Sequence, residues 1–196
     1  MEIYNVVQIT EADYGCEETG RSAPMALLKL VSGDEERYFE ITEAELEKKG
    51  ISEGKRVVFT PEGSLLKYVR VVAAVIRKED KIFATARGYG GYKGWWEFPG
   101  GKIEEGETPQ QALVREIREE LTAEIEVDDL IRTIEYDYPK FHLSMDCFWA
   151  QVVSGQLKLK EAEDAKWLDA DNMDELKWLP ADLMLIADIK KGIRLA

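Results

Sequence analysis

The chain is poor in the groups that most covalent catalysts rely on. Its 196 residues include two cysteines, Cys16 and Cys147, and a single histidine, His142. The cysteines stand far apart and form no C-x-x-C pair, which excludes a disulfide framework and a thiolate metal knuckle. Both are read as reduced thiols of a cytoplasmic protein, with Cys147 buried in a strand. A lone histidine in a strand is weak evidence for catalysis, so His142 is read as structural or as a pocket wall. With no Ser/His/Asp or Cys/His set, no covalent intermediate is expected. Positive charge is scarce as well: 26 Lys and Arg face 39 Asp and Glu, for a formal net charge of -13. A surface of that sign repels nucleic-acid backbones and anionic membranes, so neither is expected as a partner. No apolar run reaches membrane-spanning length, and the N-terminus lacks a basic-then-apolar signal pattern. There is no internal repeat, no low-complexity tract and no G-x-x-x-x-G-K-[ST] phosphate loop.

Hydrophobic residues, at 45%, suffice for a packed core. The length allows one large domain, or one medium domain with a small one. The pattern favours a division into residues 1–67 and 68–196. In the first part, Ile3 to Ile9, Met25 to Val31, Arg37 to Ile41 and Arg56 to Phe59 read as strands, and Glu11 to Ser22 as a loop. Thr42-Glu43-Ala44-Glu45 is a capping box that opens a short helix ending near Gly50. This small β-rich unit carries no catalytic cluster. Dimerisation, shaping of a substrate entrance and partner binding all stay open for it, and a homodimer is compatible with the sequence.

The informative stretch runs from Gly101 to Ala123, GKIEEGETPQQALVREIREELTA. Thr108 suits a helix N-cap, Pro109 the first helical position, and Gln111 completes a capping box. At about 100° per residue, Glu116, Glu119 and Glu120 share one arc, while Leu113, Val114, Ile117 and Leu121 share another. Ala112 falls among the acids on the wheel and is expected to leave room there for a ligand. Three carboxylates this close repel one another. The bland explanation is a solvated acidic face. The chemical one is a hard divalent cation, Mg²⁺ or Mn²⁺, among oxygen donors.

The spacing of Gly101, Glu107 and Arg115-Glu116-Ile117-Arg118-Glu119-Glu120 resembles the Nudix box. Trp96-Glu97-Phe98-Pro99-Gly100-Gly101-Lys102 before it looks like the MutT-type branch of the Nudix hydrolases. The resemblance spans about two thirds of the chain, from about Tyr68 to Ala196. It implies an α/β fold, the Nudix α/β/α sandwich with a mixed sheet, preceded here by the small β-rich unit. It also implies metal-dependent hydrolysis of a nucleoside triphosphate to the monophosphate and pyrophosphate. Glu116, Glu119 and Glu120 would hold the metal, with the Gly101 carbonyl and the Glu97 region bordering it, and Glu107 and Arg115 would lock the loop to the helix. Arg87 matches an arginine that contacts substrate phosphates, and arginine suits that task. Glu161 matches a further catalytic carboxylate on a loop, so Glu120 and Glu161 are both candidates for the general base. Asp182 matches a base-reading position at a helix start. Trp96, Tyr89 and Trp178 are candidates to stack on the base. An ionised Asp182 only accepts hydrogen bonds, which favours cytosine or oxidised guanine over uracil and thymine.

One position departs from the family pattern. Thr122 stands where the family has glycine, which implies a different exit from the helix. Two other functions are compatible with the chain: hydrolysis of a nucleotide sugar or dinucleotide such as ADP-ribose, with Tyr138-Pro139 near a marker position, and ligand sensing without turnover. The intact carboxylate set argues against the second.

Overall fold

The computed structural model describes residues 1–11 and 23–195. Cys16 and nearly all of the loop expected over Glu11 to Ser22 lie outside the described residues. The chain forms two compact units, Met1–Val69 with Asp137–Leu143, and Arg70–Tyr136 with Ser144–Ala196. Among the described residues, no helix is long and apolar enough to cross a membrane.

The first unit contains β1 (Ile3–Glu11), β2 (Met25–Ser32), β3 (Glu35–Thr42), α1 (Glu43–Lys49), β4 (Arg56–Phe59) and the start of β5 (Leu65–Lys78). Its strands run in the order β5-β4-β1-β2-β3, every pair antiparallel. Alternation does the work of patterning: Tyr4 and Val6 on β1, and Ala26, Leu28 and Leu30 on β2, are buried with Ile41, Val57 and Leu65. Thr42 caps α1 by accepting the Glu45 N–H at 3.2 Å. Residues Asp137–Leu143 add a buried histidine to this unit. His142 Nδ1 lies 2.5 Å from Asp137 Oδ1, and its ring stacks on Tyr68.

The second unit continues β5 and adds β6 (Lys81–Ala86), β7 (Trp96–Glu97), β8 (Gly100–Lys102), α2 (Pro109–Leu121), β9 (Ala123–Asp137), β10 (Phe141–Gly155) and β11 (Asp164–Leu168). A short 3-10 turn (Asn172–Glu175), α3 (Pro180–Leu183) and α4 (Ile186–Leu195) follow. Here β6 pairs with β5, β7 and β11, while β10 pairs with β5 and β9. Val72, Ala74 and Ile76 of β5 pack with Leu113, Ile117 and Leu121 of α2 and with Phe148 and Ala150 of β10. Each large aliphatic side chain buried there contributes roughly 1.5–3 kcal/mol. Cys147 lies in β10, fully buried, and burial pushes its thiol pKa up, which makes it inert.

Several expected elements differ in extent. The sequence pattern reads two strands, Ile125 to Val127 and Leu130 to Tyr138, where the structure has the single strand β9. Pro180 at a helix start predicts one final helix to about Arg194, but there are two, because Met184 and Leu185 bond to carbonyls three residues back and tighten the chain between α3 and α4. The exit of α2 is a correction of a different kind. Thr122 does not avoid the left-handed conformation but adopts it, at φ +56° and ψ +27°. Its N–H closes the helix on Arg118, and its hydroxyl reaches the Gln156 carbonyl at 3.4 Å.

Candidate active site

Helix α2 presents the acids, and its start is fixed by its own sequence. Thr108 accepts the Gln111 N–H at 3.2 Å while Gln111 accepts the Thr108 N–H at 2.9 Å. Such a cap is worth about 1 kcal/mol. Arg115 then ties the preceding loop to the helix. Its guanidinium donates to both oxygens of Glu107, at 2.7 and 2.9 Å, and to the Lys102 carbonyl at 3.0 Å. Glu107 also accepts the Glu104 N–H. Arg115 is the main reason the Glu107 carboxyl is held down at about 2.

Ala112 is not an open floor for a ligand. It is fully buried, in the core cluster with Val72, Ala74 and Leu113. Gly101 instead makes room for one of the acids. A Cβ on Gly101 would overlap the Glu116 carboxyl group, so this glycine is what lets the carboxylate lie against β8.

The electrostatic focus is Glu120. Burial, then the charges of Glu116, Glu97 and Glu161, push its carboxyl up to about 7, against a backbone hydrogen bond from Gly100. Four carboxylates from β7, α2 and the loop between β10 and β11 therefore converge. Among the described residues, no three acids close into a ready-made ion-binding group. Two acids of α2 pair with Arg115 instead, Glu116 at 3.0 Å and Glu119 at 3.5 Å, and the Glu119 side chain is 61% exposed. The donor set is nonetheless all oxygen and self-repelling, which fits a hard divalent cation.

Arg87 stands at the end of β6 and is half exposed. Its guanidinium pairs with Glu97 through Nε at 3.0 Å and Nη2 at 2.8 Å. Burial raises Glu97, and the pair with Arg87 offsets part of that. The sequence pointed to Glu97 only as a border residue. Its alternation within Trp96-Glu97-Phe98 was the available signal, since Trp96 and Phe98 are buried and Glu97 faces the other way. Glu161 lies on the loop between β10 and β11, its carboxylate bonded to the Tyr89 hydroxyl at 2.5 Å.

The base-side candidates sit deeper. Asp182, in α3, is only 4% exposed, and its Oδ1 accepts the Phe98 N–H at 2.8 Å. Trp96 is buried, with the Lys166 ammonium 4.9 Å from its ring centroid. Trp178 is not available as an open stacking platform. Its ring stacks on Phe98 at 4.8 Å, and its N–H donates to the Met173 carbonyl. Tyr89 is the exposed ring of the three candidates, at 64%.

Residues 67–192 match the NUDIX domain. The chain belongs to the Nudix family. It is a hydrolase of acid anhydrides built on the Nudix α/β/α sandwich. Over 128 residues it is 32% identical to the 8-oxo-dGTP diphosphatase of Escherichia coli (strain K12), covering 64% of this chain and 99% of that protein. The CTP pyrophosphohydrolase of the same organism is 31% identical over 122 residues, covering 61% of this chain and 90% of that one. The MutT NUDIX hydrolase from Burkholderia pseudomallei superposes with a TM-score of 0.58 over 62% of this chain and 97% of that one. At 22% identity, that Nudix likeness concerns the fold.

Proposed function

We propose that this Nudix hydrolase converts a (deoxy)nucleoside triphosphate to the monophosphate and pyrophosphate, with CTP, a modified dCTP or 8-oxo-dGTP as the preferred substrate. The observation that carries this reading is the convergence of Glu97, Glu116, Glu120 and Glu161 beside Arg87. The names of the two curated relatives support the choice of triphosphates.

Glu116, Glu119, Glu120 and the Gly101 carbonyl would hold Mg²⁺ or Mn²⁺. Bound there, a divalent ion supplies charge neutralisation and Lewis acidity for the phosphates. The substrate and the protein are both anionic, so phosphate binding depends on that neutralisation. Arg87 is half exposed, so its guanidinium is shared between Glu97 and an incoming phosphate oxygen. Glu161 or Glu120 takes the proton of the attacking water as its oxygen bonds to phosphorus and the P–O–P bond breaks. The pyrophosphate carries off the bond's electrons, and Arg87 stabilises their charge. Asp182, whose Oδ1 accepts the Phe98 N–H, would read the base edge, with Trp96 as a stacking partner.

The test is phosphate or pyrophosphate release over a panel of CTP, UTP, dTTP, dGTP, 8-oxo-dGTP and ADP-ribose, with Mg²⁺, with Mn²⁺ and with chelator. Metal-dependent turnover ranking CTP or 8-oxo-dGTP above UTP and dTTP is expected, with Glu120→Gln lower by several orders of magnitude. A best rate on ADP-ribose would replace the triphosphate reading. Near-normal turnover in Glu120→Gln would remove the carboxylate assignment.

A further inference from the structure

The loop that carries Glu161 is pinned at both ends. On one side, Lys158 donates its N–H to the Leu121 carbonyl at 2.9 Å and Lys160 to the Glu120 carbonyl at 3.2 Å, which fastens the loop to the end of α2. On the other side, Glu163 donates to the Ala86 carbonyl at 3.0 Å at the end of β6. Between these anchors the Gly88 α-carbon packs directly on the Glu161 carbonyl, so closely that a Cβ would overlap it. The backbone of Glu161 is thus fixed, but its side chain still has three torsions. The Tyr89 hydroxyl, one residue along from Gly88, holds the carboxylate at Oε2.

We propose that Tyr89 is a positioning residue that aims the Glu161 carboxylate into the acid cluster, and that the contact of Gly88 with the Glu161 backbone sets the reach over which it does so. The inference rests on the reading of Glu161 as a catalytic carboxylate. Donation to Oε2 immobilises the group and leaves the Oε1 lone pairs free for a water. A hydroxyl bonded to a carboxylate forms a short, charge-assisted bond, and Glu161 raises the phenol pKa, so the proton stays on Tyr89. This role differs from stacking on a base, which would use the ring and not the hydroxyl.

Tyr89→Phe removes the hydroxyl and keeps the ring, at an exposed position where folding is not at risk. The experiment measures kcat and KM for wild type, Tyr89→Phe, Glu161→Gln and the double variant, using the best substrate of the nucleotide panel. Glu161→Gln is expected to lower kcat by about 10²–10⁴-fold. Tyr89→Phe is expected to lower kcat on the order of ten-fold, as mispositioned catalytic groups do, with KM within about two-fold. In the Glu161→Gln background the Tyr89 substitution should have no further effect. Wild-type kcat in Tyr89→Phe overturns the proposal, as does an equal loss in both backgrounds. A raised KM with unchanged kcat overturns it in favour of substrate binding. Near-normal kcat in Glu161→Gln also overturns it, while leaving triphosphate hydrolysis standing. A best substrate other than a triphosphate revises the function but still reads out the coupling.

Discussion

A carboxylate buried as deeply as Asp182 resists ionisation, because the interior solvates its charge less well than water does. Burial pushes it up to about 7, the Phe98 N–H counteracts, Glu97 adds repulsion and Arg87 attraction. The folded chain therefore binds a proton at Asp182 over a pH range in which the unfolded chain has released it. Between about pH 4 and 7 this group's contribution to stability falls as pH rises, and above 7 the cost of the buried charge is fully present. Asp182→Asn keeps an oxygen for Phe98 and removes the titration. The melting temperature of Asp182→Asn minus that of wild type should therefore rise from pH 5 to pH 8. A difference that stays flat across that range would show that Asp182 ionises as an exposed aspartate does. The same chemistry bears on recognition. Near neutrality the group is shared between an acceptor-only and a donor form, so it is less purely an acceptor than the sequence implied.

The two ends of α2 show what a sequence can and cannot specify at the scale of an element. The start is local: the Thr108–Gln111 box involves four consecutive residues, and it forms as its letters dictate. The lock of Glu107 on Arg115 is different: it was implied by the resemblance to the Nudix box and not by the local letters, and the structure forms it. The end depends on what the helix meets next. Thr122 enters the left-handed region although a β-branched residue is disfavoured there, because β9 must begin at Ala123 and the Thr122 carbonyl already lies against Gly155. No local signal in Leu121-Thr122-Ala123 states that demand. Ala112 was misread likewise, because the wheel gives its angle but not the core residues, such as Val72 and Ala74, that it meets. Tyr89 and Glu161, 72 residues apart in sequence, meet only through the fold. Thr122→Gly should relieve the left-handed penalty of about 1 kcal/mol, less the weak bond to Gln156. Chemical denaturation would show Thr122→Gly unfolding at higher denaturant than wild type. A midpoint at or below wild type would mean that the hydroxyl outweighs the strain.

At the scale of the whole molecule, every candidate site residue from Arg87 to Asp182 belongs to the second compact unit. We therefore propose residues 68–196 as the catalytic domain. The compact units do not divide at one point, however, because Asp137–Leu143 groups with Met1–Val69. In that first unit Tyr138, His142 and Leu143 are buried, and His142 stacks on Tyr68. A chain starting at Tyr68 keeps the stacking partner but loses the strand pairing of β4 with Leu65, Leu66 and Lys67 and the core around it. Re-exposing two or three side chains costs roughly 1.5–3 kcal/mol each. At about 2–4 °C per kcal/mol, the fragment should melt on the order of 10 °C below the full chain. Its acid cluster and Arg87 are untouched, so metal-dependent hydrolysis should persist with the same ranking of nucleotides. The measurement is melting temperature together with kcat/KM on the panel, for both lengths. A folded fragment with no turnover would place part of the active site in the first unit. A fragment that does not fold would show that residues 1–67 complete the core of the second.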